Sequence, residues 1–365
     1  MKDRYEIAVV HGDGIGPEIC RPALGLVDAA LRQDGLMHWS EYPAGAEHFQ
    51  ATGDGFPEAT RKACAAADAI LHGAAGIPGV VHPDGTEVGL DFTLVNRFTL
   101  DLYANIRPIR LYEGVACPLA GVKAGEIDYI VVRENSEGLY AARGAGSLLR
   151  GEMAVDPLVQ TRKGIERIVR KAFELARQSK GAPSDGVRRV TCCDKANVLR
   201  SYAFFRQVFD EVALDYPDIE TEYAIIDAMT MHLVLRPSHY NVIVTENMFG
   251  DIISDLAAAT IGGLGLAPSA EVGVSNGLFQ PSHGSAPDIA GKGVANPYGM
   301  VLSAAEMLDW LGHGNGDDRL LAAAGRIRTA AAEGLAEGHM TPDLKGKLST
   351  GEVMDILVGK VAGMA

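Results

Sequence analysis

Residues 240–258 read YNVIVTENMFGDIISDLAA. The β-branched run at 242–245 suits a short buried strand. Beyond it, Ile252, Ile253, Leu256 and Ala257 recur at helical spacing. The stretch therefore predicts a strand, a turn at Gly250 and a largely buried helix. Asp251 and Asp255 then stand about 40° apart on one helix face. Like charges at that spacing destabilise a helix. Asp251 follows Gly250 and suits a helix N-terminus, where the dipole favours an anion. Asp255, between Ser254 and Leu256, has no such reason to be there. The other reading is a hard divalent cation. Mg²⁺ and Mn²⁺ take oxygen ligands, and carboxylates at i and i+4 reach one ion. Asp227, after the apolar start of AIIDAMTMHLV, is a third candidate carboxylate.

Strand followed by helix recurs along the chain. EIAVVHG (6–12) leads into a glycine-rich turn and then a helical run, PEICRPALGLVDAALRQDG (17–35), with Pro17 in its first turn and Gly35 near its stop. ADAILHGAAG (67–76), DYIVVREN (128–135) and VRRVTCCDKANVL (187–199) read as strands entering loops. LVQTRKGIERIVRKAFELARQS (158–179) and NPYGMVLSAAEMLDWLG (296–312) read as helices. This alternation indicates an α/β architecture. At 365 residues the chain is long enough for two domains, but no repeat or low-complexity linker marks a boundary.

A net charge of −14 with no basic stripe argues against nonspecific nucleic-acid binding. The longest weakly polar stretch, LAAATIGGLGLAPSA (256–270), is Gly-rich and shorter than the roughly 20 residues of a membrane helix. No signal-peptide pattern opens the chain, and the five cysteines lack metal-site spacing. A cytoplasmic protein with reduced thiols and no membrane partner is expected.

Arg97, Arg107 and Arg110 lie in VNRFTLDLYANIRPIRLY (95–112), and Arg133 lies at the end of a strand run. Such arginines are either surface charges or forks for the carboxylates of a small substrate. Tyr140, closing RENSEGLY, and Lys195, in CCDKANVL, are acid–base candidates; a lysine beside a metal has a lowered pKa. HGDGIGPE (11–18) lacks the G-x-G-x-x-G dinucleotide pattern, so it does not indicate a Rossmann site. PSHGSAPDIAGKGVANP (281–297) is more telling. His283, Gly284, Ser285 and Ala286 offer small residues and backbone N–H groups to phosphates. Asp288 follows, and an acid beside a ribose favours NAD over NADP.

Taken in order, HGDGIGPE, LYANIRP, VVRENSEGLY, DKANVL, NMFGDIISDLAA, GGLGLAPSA, HGSAPDIAGKGVANP and TPDL resemble the β-decarboxylating dehydrogenases over nearly the whole chain. That family includes isopropylmalate, isocitrate, homoisocitrate, and tartrate or D-malate dehydrogenases. The resemblance implies a two-domain α/β fold that is not a Rossmann fold. Residues 1–103 and 262–365 would form the cofactor domain, and 104–261 the central substrate and dimerisation domain. It implies Mg²⁺ or Mn²⁺ on Asp251 and Asp255, with Asp227 from the other subunit of a homodimer with shared active sites. K⁺ is a candidate monovalent cation. Arg97, Arg107 and Arg133 would hold the malate carboxylates. Lys195, with Asp227, would take the hydroxyl proton, also across the dimer interface, and Tyr140 would protonate the product carbon. Ile15, His283, Gly284, Ser285, Ala286, Asp288 and Asn296 would meet NAD.

The substrate is left open between two readings: a small malate such as D-malate or tartrate, and a 3-isopropylmalate-like acid. Family members differ in the helix before Arg97, here GLDFTLVNR, whose Thr93 and Leu94 fall where isopropylmalate enzymes show two leucines. An isocitrate or homoisocitrate enzyme needs a cation or a serine–asparagine pair there, which this stretch lacks, and Asp91 would repel a third carboxylate. Gln280 stands where the family commonly has glutamate, and Glu246 where a small residue is usual. A non-catalytic regulatory paralogue is the reading from another class. The arginines, Tyr140, Lys195 and the aspartates that such a paralogue tends to lose are all present.

Overall fold

The computed structural model describes residues 2–32 and 35–364. Gln33 and Asp34, at the end of the first helical run, lie outside the described residues. The chain divides into two compact units. The first comprises Met1–Asp101, Tyr112–Ala116 and Gly262–Ala365; the second comprises Leu102–Leu111 and Cys117–Ile261. The short return of 112–116 to the first unit has no signature in the sequence.

The first unit begins with β1 (Tyr5–Gly12), α1 (Gly16–Leu31), β2 (Met37–Glu41), α2 (Ala46–Thr52), α3 (Glu58–Ala66), β3 (Ala69–Ala74) and α4 (Asp91–Thr99). The second contains β4 (Ala104–Arg110), β5 (Asp128–Glu134), a hairpin of β6 (Ser147–Leu149) and β7 (Met153–Val155), α5 (Arg162–Gln178), β8 (Arg189–Asp194), α6 (Arg200–Ala213), β9 (Glu220–Ile225), α7 (Ile226–Leu235), β10 (Val242–Thr245) and α8 (Asn247–Thr260). The chain then completes the first unit with β11 (Pro268–Val272), β12 (Gly277–Pro281), α9 (Tyr298–Asn315), α10 (Asp318–Ala336) and α11 (Thr350–Gly363).

Strand order in the first unit is β2-β1-β3-β12-β11. Its first three neighbouring pairs are parallel, and β11–β12 is an antiparallel hairpin from the second half of the chain. That order is not the Rossmann order. In the second unit it is β4-β5-β10-β8-β9, with only β4–β5 antiparallel. The parallel strands carry continuous apolar runs because helices cover both faces of such sheets. Val242, Ile243 and Val244 are fully buried, as are Cys192 and Cys193, which are free thiols filling β8. Among the described residues, no helix is long and apolar enough to cross a membrane.

The turn expected at Gly250 is not there. α8 starts three residues earlier because Glu246 caps it, accepting from Met248 N at 3.1 Å and Phe249 N at 2.8 Å. An anion at that end also suits the helix dipole. Gly250 is instead a helical residue whose missing side chain lets α8 approach β5. A Cβ there would lie 2.6 Å from both Cβ and Cγ of Arg133. Nor is the helix buried all round: Ile253 and Ala257 are buried, but Ile252 is 53% exposed.

The two ends of the chain are tied within the first unit. Tyr5 Oη donates to Asp317 Oδ2 at 3.0 Å. Asp317 also caps α10, accepting from Arg319 N at 3.1 Å and from its guanidinium at 2.7 and 2.9 Å.

Two outcomes follow. Gly250→Ala gains about 1 kcal/mol of helix propensity, yet overpacking against the pinned Arg133 costs about 1–3 kcal/mol. The variant therefore melts below wild type, and Gly250→Val lower still; an unchanged or raised Tm for both would contradict this packing. Arg319 holds the Asp317 carboxyl down to about 2 from its ordinary 3.8. A depressed carboxylate stabilises fully above its unfolded pKa and loses that effect as pH falls through the folded one. In urea denaturation Asp317→Asn should therefore be less stable than wild type by a constant margin above pH ~5, of about 1–3 kcal/mol. The margin should shrink toward pH 2.

Candidate active site

Asp251 and Asp255 project from α8 toward two arginines of the second unit. Arg133, on β5, is 1% exposed. Its Nη1 bonds Asp251 Oδ1, and its Nε donates to Asn247 Oδ1 at 2.9 Å. Arg107, on β4, is also buried; its Nη1 donates to Ser254 Oγ at 2.6 Å. Its Nη2 lies 3.5 Å from Asp251 Oδ1 and its Nη1 3.5 Å from Asp255 Oδ1. Two guanidinium groups thus offset the like-charge pair. Burial pushes the Asp255 carboxyl above its usual range, with Asp251 adding to the rise and Arg107 opposing it.

Tyr140 opens a short 3₁₀ turn after β5. Its hydroxyl donates to Asp251 Oδ2 at 3.1 Å, and Arg133 stands 5.5 Å from its ring centroid. Burial, then the Asp251 charge, raises its pKa, with Arg133 opposing. A phenol in this setting keeps its proton at neutral pH. Asn247 and Ser254, which hold the arginines, are not singled out by any sequence signal except their place on the same helix.

Lys195, just past β8, pairs with Asp227 in the first turn of α7. Asp227 does not join Asp251 and Asp255: among the described residues no three His, Cys, Asp or Glu side chains group to hold a metal. Asp227 shares the exposed face of α7 with Met231, Val234 and Leu235, and Leu235 is 70% exposed. The two α8 carboxylates still fit a hard cation. Mg²⁺ keeps several waters and needs only one or two carboxylates from the protein besides its substrate.

In the first unit, Arg97 lies in the last turn of α4 rather than after the helix. It is clamped by Glu271 on β11, with Nε to Oε2 and Nη2 to Oε1 both at 2.7 Å. Gln280, on β12, donates its amide to the same Oε1 at 2.8 Å. Glu271 is 0% exposed and belongs to no motif; an acid inside the small-residue strand PSAEV was its only sequence signal. Thr93 is buried in the unit, while Leu94 is half-buried and Leu90, four residues earlier, is 42% exposed. Asp91 is held by His82 Nε2 at 2.7 Å.

The two glycine-rich stretches, 270 residues apart in the chain, come together in this unit. Ile15 N donates to Ser285 O at 2.8 Å, and Ser285 Oγ bonds Gly76 O. Gly14 has φ +58 and would place a Cβ 2.1 Å from Ser285 O, so only glycine fits there. Asp13, fully buried, fastens the loop by accepting from Ala46 N at 2.9 Å, Glu47 N at 2.8 Å and Gly76 N at 2.7 Å. Gly284 and Asp288 are exposed, and Ala286 takes a left-handed φ of +39. His283 Nδ1 contacts Gly284 O at 2.8 Å. Asn296 donates to Asp343 Oδ2 at 2.9 Å and accepts from Tyr298 N at 3.0 Å, which ties the TPDL motif to this loop. A small-residue loop with an open Gly284 and an exposed acid fits a dinucleotide.

The family model described as isocitrate/isopropylmalate dehydrogenase matches residues 6–357. The chain is 43% identical to the 3-isopropylmalate/3-methylmalate dehydrogenase of Methanocaldococcus jannaschii, covering 98% of this chain and 99% of that protein. It is 42% identical to the 3-isopropylmalate dehydrogenase of Thermobifida fusca, covering 98% of each. Among solved structures, isocitrate dehydrogenase from Methylococcus capsulatus matches with a TM-score of 0.86 and 36% identity, over 98% of this chain and 99% of that one. A β-decarboxylating dehydrogenase from Thermococcus kodakarensis matches with a TM-score of 0.77 and 37% identity, over 98% and 96%. The chain thus belongs to the isocitrate/isopropylmalate dehydrogenase family of decarboxylating dehydrogenases and is an oxidoreductase.

Proposed function

We propose that the protein oxidises and decarboxylates a malate bearing a modest apolar group at C3, of the 3-isopropylmalate or 3-methylmalate kind. NAD⁺ and Mg²⁺ or Mn²⁺ serve as cofactors. The observation that carries this reading is the cluster of Arg107, Arg133 and Tyr140 around Asp251 and Asp255. Two relatives with nearly full-length matches are named for these substrates. Leu90, in the 3₁₀ turn just before α4, and Leu94 on α4 form an apolar outward edge, and His82 already occupies Asp91. Neither feature suits the hydroxyl of tartrate or a third carboxylate.

Arg97, Arg107 and Arg133 bind and orient the two carboxylates. Their fixed planar forks hold the C2 hydrogen in one direction, which converts binding into orientation. When bound, the metal on Asp251 and Asp255 supplies a Lewis acid and NAD⁺ the hydride acceptor. Lys195, paired with Asp227, takes the proton of the 2-hydroxyl. Tyr140, whose hydroxyl hydrogen is held on Asp251, returns a proton to carbon after CO₂ leaves. Ile15, the 283–286 loop, Asp288 and Asn296 form the proposed nucleotide side. Asp288 favours NAD over NADP by accepting from ribose hydroxyls.

The protein is proposed to act as a homodimer whose sites take Lys195 and Asp227 from the neighbour. Support comes from α7, where Asp227 shares an exposed face with Met231, Val234 and Leu235. An exposed apolar face of that kind marks an association surface.

The reading is tested by NADH formation at ~340 nm, the nicotinamide chromophore, with Mn²⁺ and 3-isopropylmalate, 3-methylmalate, D-malate, the tartrates, isocitrate and homoisocitrate. The 3-alkylmalates should give the highest kcat/KM; a clear lead for tartrate or isocitrate would refute the pocket assignment. Lys195→Met and Tyr140→Phe should each lower kcat by about 10²–10⁴-fold. Equal mixing of the two inactive variants, after subunit exchange, should restore about one quarter of wild-type activity if sites are shared across a two-fold dimer. No recovery, with exchange verified, would place both residues in one subunit's site.

A further inference from the structure

The Arg97 clamp contains more than an ion pair. Glu271 and Leu278 face each other across the β11–β12 hairpin, and so do Ser269 and Gln280. Glu271 and Gln280 are therefore diagonal neighbours on one face of the hairpin, the arrangement in which long side chains interact. Arg97 reaches that face from α4. The buried Glu271 carboxylate accepts two bonds from the Nε–Nη2 edge of Arg97 and one from the Gln280 amide. A bidentate clamp fixes the plane of a guanidinium, and with it the direction of its remaining N–H groups. Within this trio one carboxylate faces one guanidinium, and the third member is uncharged.

We propose that Glu271 is a positioning residue for Arg97 and that Gln280 tunes the clamp by bonding its carboxylate without adding charge. Together they set how tightly Arg97 grips a substrate carboxylate. This rests on the reading of Arg97 as a substrate-binding arm. Glu271 does not touch the substrate; it acts through the orientation of Arg97. A glutamate at 280 would place a second carboxylate against the first, and the two would repel and draw Arg97 out of plane. A glutamine at 271 would turn an N–H₂ toward a guanidinium N–H, donor against donor. With both changes the amide and the carboxylate exchange places, and one negative charge again stands opposite one positive charge.

The experiment measures kcat and KM for 3-isopropylmalate, with saturating NAD⁺ and Mn²⁺, in Glu271→Gln, Gln280→Glu, the double variant and Arg97→Lys. Thermal melts confirm that each is folded. Each of the first two should raise KM about tenfold while kcat stays within about threefold, the mark of lost binding rather than lost chemistry. The double variant should recover KM to within about threefold of wild type, a non-additive coupling between neighbours. Glu271→Gln leaves Arg97 buried without its carboxylate and is the variant most exposed to misfolding. If it does not fold, Gln280→Glu and the double variant still decide. The proposal fails if Gln280→Glu leaves KM unchanged. It also fails if the double variant is as impaired as the product of the two single changes. If Arg97→Lys raises KM while these results fail, only the clamp is wrong. If Arg97→Lys leaves KM unchanged, the substrate role of Arg97 itself is wrong.

Discussion

The pairing of Arg133 with Asp251 is the contact on which the second unit depends. A guanidinium buried as fully as that of Arg133 is strongly destabilising without a partner. Its partner stands on α8, so the helix must lie close to β5. That closeness is possible because position 250 has no side chain and because Glu246 fixes where the helix begins. Asn247 takes a second bond of the same arginine. Strand end, helix cap, helix glycine and carboxylate are thus one mechanical assembly. The repulsion between Asp251 and Asp255, unfavourable in an isolated helix, is offset because Arg107 and Arg133 are held within reach before any ligand arrives.

The first unit solves a related problem differently. Arg97 is as buried as Arg107, but its partner Glu271 is wholly enclosed. Asp251 and Asp255, by contrast, remain partly open to solvent, at 38% and 56% of their side-chain surface. A closed pair contributes shape and direction, whereas an open pair still offers its oxygens to a newcomer. The proposed division of labour follows from this difference: Arg97 is an oriented arm, and the α8 carboxylates are ligands.

Much of this was legible in the sequence. Apolar runs such as IVV and VIV fill the buried parallel strands, and the i,i+4 aspartates do share a face. What was not legible has physical causes. The start of α8 was misplaced because Glu246 caps it, whereas serine, threonine, aspartate and asparagine are the usual signals. Gly250 then resembled a turn, although its role is set by a side chain on another strand. Glu271 carried no motif because its meaning lies in Arg97, 174 residues away in the chain. That Thr93 is buried while Leu90 and Leu94 face outward depends on helix phase, which the mixed composition of this stretch does not reveal. The return of 112–116 to the first unit leaves no trace in composition, since the same apolar residues serve either core.

Asp13 has a consequence for thermodynamics. Its carboxylate gathers two backbone N–H groups from the start of α2 and one from the loop after β3, around the glycine-rich turn, and Ser285 closes the turn from the other side. Ordering a backbone residue costs about 1–2 kcal/mol in entropy. For residues 12–16 that loss falls within folding, not within ligand association. In the proposed reading, a nucleotide settling on Ile15 would meet a loop already fastened by these bonds. Its affinity would then depend little on loop closure, and its arrival rate would be limited by diffusion and charge rather than by a conformational search.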